Sequence, residues 1–85
     1  MIERPQLCDN QYAGLMADGE TGHILNVDGT VNHGDTIQMF MVFEDIESAR
    51  FFIKGKQAIS NSLEFIVYNS NYEYVECWKA PEWNR

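Results

Sequence analysis

The sequence predicts an α+β domain: a small, mostly antiparallel sheet of about four or five strands in the order β-β-β-α-β-β, with one helix on one face. Three observations carry this. Residues 36–43 alternate as a strand does, residues 45–60 carry a capped helical stripe, and residues 63–68 and 72–79 are two β-rich stretches around a polar turn.

Residues 1–11 show no periodicity and contain Pro5, Asp9 and Asn10, so they form an irregular arm. Residues 12–17 suit a short strand, turned by the loop Asp18-Gly19-Glu20-Thr21-Gly22. Residues 23–27 suit a second strand, and Asp28-Gly29 is a turn signal that returns residues 30–35 along it or into a loop. If the turn has two residues, His33 faces Ile24 and His23 points to the opposite side.

The 36–43 stretch places Ile37, Met39, Met41 and Phe43 on one face and Thr36, Gln38, Phe40 and Val42 on the other. Asp45 then caps a helix, because its carboxylate can accept from the free N–H groups of the first turn; Glu47 there complements the helix dipole. Ile46, Ala49, Phe52, Ile53 and Ile59 make its apolar stripe, and Arg50, Lys54 and Lys56 fall on the other side or in the last turns. Gly55 weakens the interior by about 1 kcal/mol relative to Ala. Ser60-Asn61-Ser62 ends the helix, with Asn61 suited to a left-handed conformation.

In the hairpin, a Ser70-Asn71 turn sets Val67 opposite Tyr74, Phe65 opposite Glu76 and Leu63 opposite Trp78 on the side the helix covers. Residues 80–85 are a tail. One helix covers one face, so the second face keeps Phe40, Val42, Ile66, Tyr68 and Val75. These are the interface candidates, to be covered by a partner, by a second copy in a homodimer, or by residues 1–35 folding back.

Composition narrows the function. The chain has 85 residues, 45% of them hydrophobic and 22% charged, which suits a single soluble domain. Neither a signal peptide nor an apolar run long enough to span a membrane is visible, so a cytoplasmic protein is expected. The net charge is −7, and residues 5–49 hold eight acids and no Lys or Arg. Phosphate backbones and anionic membranes are bound by clustered cations, so neither nucleic acid nor membrane is an expected partner. The same acidic field suits simple solubility first, and a basic protein partner second.

The chemistry-bearing residues match no motif. His23, Asp28, His33 and Asp35 lie within thirteen residues and are the only metal-ligand candidates. The stretch from Asp28 begins like a calcium loop but has His33 where that loop requires Gly. Cys8 and Cys77 lack a catalytic signature, and Cys77, alternating with Val75, is expected to be a small buried side chain. Glu76, between Tyr74 and Trp78, would gain a raised pKa if buried alone. The expected function is therefore a non-catalytic protein-binding domain without a cofactor. It has the size and acidity of an inhibitor, immunity or antitoxin-like protein that neutralises a basic partner. The rival classes are a small-ligand or metal-binding domain using residues 23–35, and a small enzyme completed at a homodimer interface.

Overall fold

Strand β1 (Tyr12–Asp18) is the one to which the others attach. The computed structural model describes residues 5–33 and 39–80. On one edge, β1 pairs with β2 (Ile24–Leu25) near its C-terminal end and with β3 (Phe40–Phe43) near its N-terminal end. On the other edge it pairs with β4 (Leu63–Tyr68), which carries β5 (Tyr74–Trp78) outside it. Helix α1 (Ile46–Ile59) joins β3 to β4. All the strand pairings are antiparallel, giving an open five-stranded sheet with one helix, an α+β fold in the predicted element order. Because β3 and β4 both oppose β1, they run parallel to each other with β1 between them.

The centre of β1 is nearly bare of side chains. Ala13 is fully buried, and Gly14 lies between Met41 and Val67. A Cβ on Gly14 would stand 2.9 Å from Phe43 Cε2 and 3.5 Å from Met41 Cε, so the glycine makes room for the Phe43 ring. On this side the core is Met16, Leu25, Met41, Ile53, Phe65 and Val67, with Phe43, Ile46, Phe52 and Trp78 packed against it. The Phe52 ring lies edge-on to Phe65 at 6.3 Å and 5.5 Å from Phe43, so one helix residue ties together two strands that flank β1.

The helix starts as its sequence dictates: Asp45 Oδ1 accepts the Ser48 N–H at 2.7 Å, with Glu47 in the first turn. Its inner stripe departs from expectation at one residue. Ile59, the last residue of the helix, is exposed although it lies two turns past the packed Phe52 on the same side. Gln57 sits nearer the sheet instead, and its Nε2 donates to the Leu63 and Lys79 carbonyls at 3.0 Å each. The helix ends at Ser60 with extended backbone, and the only non-glycine residue at positive φ among the described residues is Tyr72, not Asn61.

Both turns are longer than two residues, and this resets their registers. In the β4–β5 connection Asn69 Oδ1 accepts from the Asn71 and Glu73 N–H groups, and Tyr72 takes φ 60°. Phe65 therefore faces Trp78, Ile66 faces Cys77 and Val67 faces Glu76, a slip of two residues that keeps each on its expected side. A bulge follows, where Tyr68 meets Tyr74. After β2, Gly29 at φ 94° makes a three-residue turn, with Asn26 N–H donating to the Thr30 carbonyl and Leu25 bridging Val31. Continued one step past Ile24 and Asn32, this register sets His33 across from His23 rather than Ile24. Of the 36–43 strand, residues 36–38 lie outside the described residues, as do residues 1–4 of the arm and 81–85 of the tail.

Two substitutions test this core. Phe65→Ala should destabilise by about 3–5 kcal/mol through the cavity it leaves. Gly14→Ala should cost about 1–3 kcal/mol by displacing Phe43. Both are read from urea unfolding midpoints, and a neutral Gly14→Ala would show that the Phe43 ring is not held against β1.

Candidate functional site

Strand alternation and register build the helix-free face in rows. Val42, Ala13 and Tyr68 form one row, and Phe40, Leu15, Ile66 and Cys77 the next. Ile24, Ala17 and Glu64 form a third. Four of the interface candidates, Phe40, Val42, Ile66 and Tyr68, thus share one surface, and Val75 precedes Cys77 by one alternation at the bulge.

The chain covers part of this surface itself. Tyr72, thrown over the face by its left-handed backbone, sets its ring 5.8 Å from Phe40 and 6.2 Å from Tyr68. Phe40 and Tyr68 meet edge to face at 6.4 Å. The Tyr72 hydroxyl donates to the Pro5 carbonyl, which pins the described part of the N-terminal arm at this end. Among the described residues the cover stops there. Val42 is 45% exposed and Val75 37% exposed, and Cys77 is exposed too. Three carboxylates stand on or next to the strands of this face: Glu64 in its third row, Glu73 in the β4–β5 turn, where Asn69 Nδ2 donates to it, and Glu44 two residues past Val42, where Gln11 Nε2 donates to it at 3.2 Å.

The polar residues with chemical potential are occupied structurally. Glu76 lies on the helix side, where Arg50 reaches it with Nη2 at 2.6 Å and Nε at 3.1 Å, and Trp78 Nε1 donates at 3.0 Å. The Arg50 hydrogen bonds hold its carboxyl below the usual carboxylate range, against a smaller upward push from burial. A general acid needs the opposite shift. The raised pKa that burial alone would give does not arise, because Arg50, 26 residues away in sequence, pairs with the carboxylate. Asp45 is likewise lowered by its Ser48 hydrogen bonds, and Asp28 by the Thr30 hydroxyl and N–H.

Asp28 serves its own turn. Its Oδ1 accepts from Thr30 Oγ1 at 2.7 Å and Thr30 N–H at 2.9 Å, and Asn26 Nδ2 donates to the same hydroxyl. His23 and His33 are exposed, and His23 Nδ1 lies 3.0 Å from Thr21 Oγ1. Asp35 lies outside the described residues. Among the described residues, no group of three or more His, Cys, Asp or Glu is gathered that could hold a metal ion. Cys77 is exposed rather than buried, because the strand face it shares with Ile66 has no helix over it; Cys8 is exposed as well. Among the described residues no helix is long and apolar enough to cross a membrane. Compared with known proteins, the chain matches no family model, no curated protein and no solved structure.

The Arg50–Glu76 pair sets a pH dependence. A carboxyl whose folded pKa is depressed adds stability that is present above its unfolded pKa and lost as pH falls through the folded one. Asp45 and Asp28 act with the same sign. Glu76→Gln should therefore lower the urea midpoint at about pH 7 and differ much less from the parent at about pH 3. An equal deficit at both would assign Glu76 a packing role instead.

Proposed function

We propose that the protein is a non-catalytic binding domain that docks a basic protein partner on its helix-free sheet face. The observation that carries this reading is that face itself. Phe40, Val42, Ile66, Tyr68 and Val75 come from three strands to one face, with Val42 and Val75 exposed on its two opposite edge strands, β3 and β5. An apolar centre rimmed by polar groups is how specific interfaces are commonly built, and exposed apolar patches on small domains mark interaction sites.

Charge selects the partner. Glu44, Glu64 and Glu73 lie on or next to the strands that carry these residues, within a chain of net charge −7. A basic surface is steered toward such a field, and an acidic one is repelled. The non-catalytic part of the reading is supported by the engagement of Glu76, Asp45 and Asp28 in ion-pair, cap and turn contacts. An inhibitor- or immunity-type role, in which a small acidic domain neutralises a basic protein, fits this surface best.

The test is affinity capture with the tagged full chain from its native source, washed at low and moderate salt, beside Val42→Glu and Phe51→Glu. The expected result is a stoichiometric basic protein that elutes as salt rises. Val42→Glu should lose it and Phe51→Glu, on the opposite side of the molecule, should keep it. Recovery of the chain alone, or a partner indifferent to Val42→Glu, would overturn the reading.

A further inference from the structure

One residue beside the helix-free face stands in a backbone conformation that its side chain does not favour. Tyr72 is at φ 60°, in the left-handed region, where glycine or asparagine is the ordinary choice. It ends a three-residue hairpin loop: the Asn69 N–H donates to the Glu73 carbonyl at 3.0 Å, and the Tyr72 N–H to the Asn69 carbonyl at 2.9 Å. The turn does not depend on the ring. Asn69 holds it from within, since its Oδ1 accepts the Asn71 and Glu73 N–H groups and its Nδ2 donates to Glu73 Oε1, each at 2.9 Å. A bulky residue kept in such a conformation calls for a reason outside the turn.

That reason lies across the sheet. The Tyr72 ring meets Tyr68 of β4 and Phe40 of β3, two strands that have β1 between them. The three rings stand 5.8–6.4 Å from one another. The hydroxyl carries the span further and donates to the Pro5 carbonyl of the arm. Gln11 ties the arm at its other end: its Oε1 accepts the Cys8 N–H at 2.8 Å, and its Nε2 donates to Glu44 at 3.2 Å. One side chain therefore joins the β4–β5 turn, β3 and the arm.

We infer that Tyr72 is a strap over the docking face, closing its Phe40–Tyr68 end in the free protein and displaced when a basic protein partner docks. Opening is a rotation of the side chain about its Cα–Cβ bond, and the hairpin stays, because Asn69 carries the turn. Departure of the ring adds Phe40 and Tyr68 to the apolar surface at the exposed Val42, and the Pro5 segment loses this hold at the same time. An apolar side chain of the partner takes the place of the ring. The occupant is the one proposed above for the sheet face and rests on that reading; the strap rests on the Tyr72 geometry. Closure lowers the apparent affinity by the fraction of molecules that are open, which shields this end of the face from weak encounters.

Tyr72→Gly and Tyr72→Asn remove the strap and suit the left-handed backbone, so circular dichroism and urea unfolding should report a folded chain in both. Each should raise the fluorescence of added anilinonaphthalene sulfonate by about threefold or more, and a further Val42→Glu should cancel the rise. Tyr72→Phe keeps the ring and removes the hydroxyl. It should leave the dye signal at the parent level while the backbone order parameters of Gln6 and Leu7 fall below about 0.6. Titrated with the basic protein captured above, Tyr72→Gly and Tyr72→Asn should bind about fivefold or more tightly than the parent. Dye binding that ignores both variants would overturn the strap. Weaker partner binding would overturn it too, by making Tyr72 a contact, and unchanged order parameters in Tyr72→Phe would remove its coupling to the arm. Failure to capture any partner would instead overturn the sheet-face reading, with dye and relaxation still deciding whether Tyr72 closes the face.

Discussion

One 14-residue helix covers one face of a five-stranded sheet, and the rest of the molecule answers to that constraint. The covered face holds most of the buried large side chains: Met16, Met41, Phe65 and Val67 under Ile53. Among the described residues the other face has no second layer, and its apolar residues are met by what the described chain bends over them. That is the Tyr72 ring and the arm at Pro5.

The helix is held to the sheet by more than apolar contact. Gln57 spans from the helix to the carbonyls of Leu63 and Lys79, satisfying groups at the ends of two strands that have no further ladder to join. Arg50 makes a forked contact with Glu76 across the side of the helix, beside the Trp78 indole. Such partly exposed ion pairs add little energy on their own. Their value is positional: they fix which residues of α1 turn inward, and thereby leave Phe51, Gly55 and Ile59 outward.

Charge is divided along the same line. Three of the six Lys and Arg residues, Arg50, Lys54 and Lys56, sit on α1, while the strands and loops before it hold acids alone from residue 5 onward. The molecule therefore offers two unlike surfaces on opposite sides, one acidic and built on the sheet, one mixed in charge and built on the helix. Each has an apolar centre.

Local physics made much of this legible in the sequence. The Asp45 cap acts within three residues, helix and strand periods repeat every 3.6 and 2, and residues two apart on a strand share a face whatever their partner. Hence the element order, the helix, and the side-sharing of Phe40 with Val42 and of Ile66 with Tyr68 were all readable before any coordinates. What only the tertiary structure decided depends on distance along the chain or on a single extra turn residue. The left-handed Gly29 and Tyr72 lengthen two turns and shift their registers. The central place of β1 rests on packing around Gly14, and the state of Glu76 on an arginine from another element. Ile59 faces water at the last residue of the helix, while Phe52, two turns earlier on the same side, packs between strands. Periodicity fixes which residues lie together on one element; only packing between elements determines which side is buried and what is left outside.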